Sequence, residues 1–353
     1  MKKISFLMCS MGRGGAERVV SILSKHYCEL GWQVDICMLL HNINEYELHE
    51  RVNVLDLSCE NLSGFEKWKQ TVIKLREYLK AQKPDVIVPF LAKTSALFSL
   101  ARLGLDIGSC RVVASERIDP YSAKYPFPLR LLVNYSYRRS DAVVFQTKRA
   151  LSFYGRGIRK KGVIIGNPID AEYHPENDGT HTIISAGRLT PQKNHAMLIR
   201  AFEGVSRDYP DYVLHIYGEG KLRDRLQALI EKLSLSEKVF LMGNQSDYKE
   251  KLKDAEMFIL PSNFEGLSNA LLEAMLMGKP CISTSCAGSD EVIINYLNGV
   301  LVPVGDAKAM EKAIVTLINN KKLKIALGEN AAKLQKMFST ESVIGQWRKV
   351  FEK

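Results

Sequence analysis

Residues Met257 to Pro280 read MFILPSNFEGLSNALLEAMLMGKP. The short apolar run Met257-Phe258-Ile259-Leu260, closed by Pro261 and Ser262, predicts a buried parallel strand. A loop follows through Asn263, Phe264, Glu265, Gly266 and Leu267. Ser268 is a good N-cap for a helix that starts near Asn269. That helix is almost wholly apolar. Gly278 suits the left-handed position after it, and Pro280 forbids continuation. Cys281 to Thr284 is the next strand, so the stretch is a βαβ unit of an α/β fold.

Two carboxylates in this unit need a reason. Glu273 sits mid-helix among apolar residues, where an acid is rarely buried without a partner, and Asn269 lies one turn earlier on the same face. Glu265 falls in the loop past the strand's C-terminal end, where open α/β sheets bind ligands. The helix start between them offers free N–H groups and a positive dipole end. These parts fit a nucleotide-sugar pocket. In it, Gly266, Leu267, Ser268 and Asn269 face phosphate or sugar oxygens, Glu273 takes ribose hydroxyls and Glu265 faces the sugar. Glycoside hydrolases also use two carboxylates, but one already bound to ribose cannot serve such a pair.

At 353 residues, 46% hydrophobic and 25% charged, the chain has room for two domains and an ordinary globular composition. No apolar run is long enough to cross a membrane. The opening MKKISFLMCSMGRGG reads as a first strand rather than a signal peptide, because its apolar part is short and Arg13 follows without a small-residue cleavage site. The seven cysteines form no Cys-x-x-Cys pair, and several fall in predicted strands, as in a reduced cytosolic protein. Net charge is +10, much of it local. Between Lys124 and Lys161 stand Arg130, Arg138, Arg139, Lys148, Arg149, Arg156, Arg159 and Lys160 against Asp141 alone. No nucleic-acid motif accompanies this stretch, which leaves an anionic membrane face or a solvated surface.

The first strand, Ile4 to Met8, leads into Gly12-Arg13-Gly14-Gly15 and a helix to about Leu30. The dinucleotide fingerprint Gly-x-Gly-x-x-Gly fails here, because position 17 is Glu. Strands are expected at Gln33 to Leu40, Val52 to Leu57, Pro84 to Val88, Arg111 to Ala114, Asp141 to Phe145 and Val163 to Ile165. Glu116 and Arg117 follow the fourth of these in an expected loop. Tyr121 to Pro128 reads as an exposed aromatic loop, and Leu129 to Arg139 as an amphipathic helix for membrane contact or core packing. Gly166 to Asp170 is the expected hinge, with a polar linker from Tyr173 to His181. Past it, Thr182 to Ala186 is a strand and Gly187-Arg188-Leu189-Thr190-Pro191-Gln192-Lys193-Asn194 a glycine turn carrying two cations. Arg188 and Lys193 form a plausible clamp for a leaving diphosphate. The expected domains are 1–166, 167–338 and a C-terminal helix 339–353.

Glu265-x7-Glu273 followed by Met-x-x-Gly-Lys-Pro closely resembles the signature of glycosyltransferase family 4. The glycine loop at Gly14-Gly15-Ala16-Glu17-Arg18, the Asn167-Pro168 hinge, Gly187-Arg188-Leu189 with Lys193-Asn194, and the turn Met242-Gly243-Asn244 resemble that family's motifs in order, over nearly the whole chain. The resemblance implies a GT-B fold, two Rossmann-like parallel-sheet domains facing a cleft, with an N-terminal acceptor domain and a C-terminal nucleotide-sugar domain. It implies a retaining, metal-independent transfer of a hexose or N-acetylhexosamine from a nucleotide sugar, expected to be UDP-linked, to a saccharide or polyprenyl-linked saccharide, and a C-terminal helix 339–353 that crosses back to the first domain. It implies catalytic roles for Glu265, Arg188 and Lys193, with Gly14 and Gly15 closing over the phosphates and Gly243 and Asn244 reading the base. Many relatives carry a His where this chain has Arg117, so Glu116 and Arg117 become candidates for acceptor or sugar contact. No cofactor and no metal are implied, and the Asp-x-Asp pattern of metal-dependent transferases is absent. The implied setting is surface-polysaccharide synthesis, capsule or lipopolysaccharide, in the cytoplasm at the inner membrane face. Alternatives are another UDP-sugar enzyme of the same fold, such as an epimerase, and a non-catalytic nucleotide-sugar binder.

Overall fold

Short apolar runs bounded by turn formers become strands throughout the computed structural model, which describes residues 1–12, 14–123, 125–174, 180–245, 247–286 and 288–352. Arg13 of the glycine loop, Lys124 of the basic stretch and residues 175–179 of the polar linker lie outside the described residues. The chain divides into two units, Met1–Pro168 with Thr340–Lys353, and Ile169–Ser339.

The first unit holds strands β1 (Lys3–Met8), β2 (Gln33–Met38), β3 (Val52–Asp56), β4 (Val86–Pro89), β5 (Arg111–Glu116), β6 (Ala142–Phe145) and β7 (Gly162–Ile164). They form one parallel sheet in the order β3-β2-β1-β4-β5-β6-β7. Central β1 is buried along its whole length, as a strand covered on both faces must be. Its one charged side chain, Lys3, meets Asp35 at 2.8 Å, and the Tyr78 hydroxyl donates to the same carboxylate at 2.5 Å. The last helix, Thr340–Phe351, belongs to this unit. Trp347, Val343, Val350 and Phe351 enter its core, with Trp347 stacked on Phe90 at 5.7 Å.

The second unit holds β8 (Thr182–Ala186), β9 (Val213–Tyr217), β10 (Val239–Gly243), β11 (Met257–Leu260), β12 (Cys281–Thr284) and β13 (Val300–Val302). These too are all parallel, ordered β10-β9-β8-β11-β12-β13. Chain order runs outward from β8 on one side and from β11 on the other. The reversal point therefore lies between them, and the loops that leave their C-terminal ends flank the natural ligand crevice of such a sheet.

Glycine holds that edge together. Gly218, at the end of β9, has φ +128°, and a Cβ there would sit 2.2 Å from the Gly187 carbonyl oxygen. Only glycine meets both conditions. Gly288 lies against the loop after β11, where a Cβ would come within 1.8 Å of the Gly266 oxygen.

Candidate functional site

Two loops at the reversal point of the second sheet carry the charged residues singled out in the sequence. The loop after β8 runs through Gly187, exposed Arg188 and Lys193 to Asn194, which precedes the helix His195–Asp208. The loop after β11 runs through Ser262, Asn263 and Glu265 to Ser268. Lys193 Nζ lies 2.5 Å from Glu265 Oε1 and the Ser262 hydroxyl donates to the same oxygen at 2.8 Å. Gln192 Nε2 donates to Glu265 Oε2 at 3.4 Å and to the Phe264 carbonyl at 3.0 Å. Asn263 N–H donates to the Gln192 carbonyl at 2.8 Å, its side-chain amide donates to Pro191 O at 2.8 Å, and Asn194 Nδ2 donates to Asn263 Oδ1 at 3.0 Å. The two loops thus form one polar clasp around a buried ion pair.

Beside the clasp begins the helix Asn269–Leu276. Ser268 caps it, its hydroxyl accepting from Leu271 N–H at 3.4 Å. A helix start offers free N–H groups and a positive dipole end, which favour an anion. One turn into that helix, Glu273 is 5% exposed, with Lys249 Nζ at 3.8 Å; the same ammonium donates to the Asp170 carbonyl at 2.9 Å. The Tyr248 phenol next to Glu273 is pushed well above its ordinary range by burial and then by that carboxylate. Gly243, φ +73°, closes β10, and its carbonyl accepts from Gly218 N–H at 2.8 Å, which places the turn with Asn244 on the same sheet edge. His195, the first residue of its helix, is buried, and its imidazole is pushed down to about 3 by burial and then by Lys193, so it stays neutral.

The sequence-predicted residues of the second unit, Arg188, Lys193, Gly243, Asn244, Gly266, Leu267, Ser268, Asn269, Glu265 and Glu273, all lie at loops or helix starts on the C-terminal edge of its sheet, with Glu273 one turn into its helix. Gly14 and Gly15 lie in the first unit, at the start of the helix Gly15–Glu29, where Tyr46 donates its hydroxyl to the Gly14 carbonyl at 2.9 Å.

Glu116 and Arg117 need a correction. The sequence places them in a loop, but β5 continues to Glu116, which pairs with Phe145 of β6. Glu116 is fully buried. Tyr137 and Tyr154 donate to its Oε2 at 3.0 and 3.2 Å, Tyr125 to its Oε1 at 3.4 Å, and burial raises its pKa to about 7. Arg117 is buried too; it donates to the carbonyls of Ile165 at 3.1 Å and Gly166 at 3.3 Å and to Asn167 Oδ1. Both side chains are thus engaged inside the first unit. The aromatic loop is also shorter than expected, since the helix starts at Phe127 with Pro128 in its first turn.

Gln192, Ser262, Asn263 and Lys249 were not singled out from sequence. Gln192, Ser262 and Asn263 are uncharged and carry no distinct pattern, so only their adjacency to Lys193 and Glu265 could have flagged them, while Lys249 sits among the ordinary charges of a short Lys- and Glu-rich helix. Among the described residues no group of three or more His, Cys, Asp or Glu could hold a metal ion, and all seven cysteines are free. No helix among them is long and apolar enough to cross a membrane.

Comparison with known proteins fixes the family. The family model described as Glycosyltransferase Family 4 matches residues 13–173, and that described as Glycosyl transferases group 1 matches residues 167–334. A Campylobacter jejuni N-acetylgalactosamine-N,N'-diacetylbacillosaminyl-diphospho-undecaprenol 4-alpha-N-acetylgalactosaminyltransferase is 30% identical over 96% of this chain and 96% of its own. The chain is a family 4 glycosyltransferase. A second C. jejuni relative of this glycosyltransferase, an α-1,4-N-acetyl-D-galactosaminyltransferase acting on a diphospho-undecaprenol-linked glycan, is 27% identical over 99% of this chain and 98% of its own. Among solved structures, sucrose-phosphate synthase from Thermosynechococcus elongatus superposes with a TM-score of 0.86 at 17% identity, covering 100% of this chain and 98% of that one. Anabaena HepE in complex with UDP and glucose gives 0.83 at 20% identity, covering 100% of both chains. These likenesses make the glycosyltransferase's fold GT-B.

Proposed function

We propose that this glycosyltransferase moves an N-acetylhexosamine or hexose from a UDP-sugar to a polyprenyl-diphosphate-linked saccharide, with retention of anomeric configuration and without a metal. The observation that carries the donor reading is the meeting of Lys193 with Glu265 at the sheet's reversal point, beside the start of the helix Asn269–Leu276. Lys193 and exposed Arg188 take the charge that develops on the leaving diphosphate, amides from Gly266 to Asn269 hold its oxygens, Glu265 meets the sugar and Glu273 the ribose. Gly243 and Asn244 face the base with backbone groups. Gly14 and Gly15 are assigned to donor phosphate. The acceptor class rests on the two Campylobacter relatives, whose names describe diphospho-undecaprenol glycans. Surface-polysaccharide synthesis at the inner face of the cytoplasmic membrane is the matching setting. Epimerisation, the runner-up, would form product without an acceptor, and a non-catalytic binder would hold UDP without turnover.

The experiment is Lys193→Ala in an assay of UDP release from UDP-N-acetylgalactosamine. Loss of a charge-stabilising group should lower turnover by about 10²–10³-fold. Near-normal turnover would remove Lys193 from the mechanism.

A further inference from the structure

Gln192 and Ser262 have no part in the reading above, yet both end on Glu265. We infer that they are positioning residues that keep Glu265 in place once the donor diphosphate has drawn Lys193 away, an inference that rests on the proposed donor site.

Glu265 is 7% exposed, and its carboxylate is shared among three donors. Oε1 takes the Lys193 ammonium at 2.5 Å and the Ser262 hydroxyl at 2.8 Å, while Oε2 takes the Gln192 amide at 3.4 Å. A nucleoside diphosphate arriving at the helix start carries more charge than one carboxylate and competes directly for that ammonium. Glu265 then keeps two donors or none. A buried carboxylate without partners takes up a proton or turns outward, because the charged form is not stable there.

The two remaining donors are fixed independently of Lys193. The Gln192 carbonyl accepts from Asn263 N–H at 2.8 Å, and its side-chain amide also donates to Phe264 O at 3.0 Å. Both neighbours of that amide are acceptors, which sets its NH₂ face toward them. Ser262 is fully buried, and its carbonyl accepts from the Thr284 hydroxyl at 2.5 Å, so the end of β12 holds it. The pair therefore survives the loss of Lys193 and holds Glu265 in place as an acceptor for sugar hydroxyls.

The test uses the full chain with Gln192→Leu, Ser262→Ala and the double variant. UDP affinity is titrated, and kcat is read from UDP release from UDP-N-acetylgalactosamine. UDP affinity should stay within about twofold of wild type, which also reports an intact fold, while kcat in the double variant falls by about tenfold or more. An unchanged kcat, or UDP affinity falling in step with kcat, overturns the inference. A wild type that binds no UDP overturns the donor site itself, and this inference with it.

Discussion

Lys193 and Glu265 stand out in the sequence as candidates because a cation on a glycine turn and an acid past a buried strand have few other reasons to be there. Their pairing was not readable, since they are far apart in sequence and meet only because β8 and β11 are neighbours. Glu116 shows the opposite failure. One extra pair of residues in β5 turns an expected loop acid into the centre of a tyrosine cage. Burial raises its pKa to about 7, so the folded state holds its proton more tightly than the unfolded chain. Its stabilising effect is complete below the ordinary carboxylate range and is lost as pH rises toward 7. Glu116→Gln should therefore gain Tm relative to wild type between about pH 5 and 8, read by thermal unfolding. Neutral His195, whose pKa is depressed, works in the opposite direction but cancels in this difference. A flat difference would mean that Glu116 titrates normally.

At the scale of elements, strand positions were legible because parallel strands buried on both faces read as continuous apolar runs; β11 and β12 fall on the residues expected. Helix surfaces were less so. The helix Phe127–Arg139 buries Val133 and Tyr137 yet exposes Phe127 at 70%, Leu131 at 55% and Tyr135 at 38% on one stripe, flanked by Arg130, Arg138 and Arg139. The membrane contact expected from the sequence would rest on this stripe. Phe127→Ser with Leu131→Ser should weaken co-sedimentation with anionic vesicles severalfold while leaving UDP affinity unchanged, and high salt should weaken the wild type in the same way. Equal binding of the variant and wild type would leave the stripe as plain surface. The last helix makes a different demand. Trp347 is fully buried between Phe90 and Phe351, so Trp347→Ala should cost about 3–5 kcal/mol, seen as a lowered midpoint in urea. A shift under about 1 kcal/mol would mean that the helix is dispensable to the first unit.

The molecule as a whole is two parallel sheets with reversal points, a plan legible from two successive runs of alternating strand and helix signals and from motifs spread along both. The sugar and the acceptor were not legible, because specificity rests on a few polar contacts that leave no periodic trace. The central claim is a metal-free UDP-sugar site at the β8–β11 edge built on Lys193. Calorimetric titration of wild type and Lys193→Ala with UDP, GDP and ADP, with and without EDTA, tests it most directly. The account predicts that the wild type binds UDP most tightly, that EDTA does not weaken this binding, and that Lys193→Ala weakens it by about tenfold or more. UDP binding that needs a divalent ion, or that is indifferent to Lys193, would contradict it.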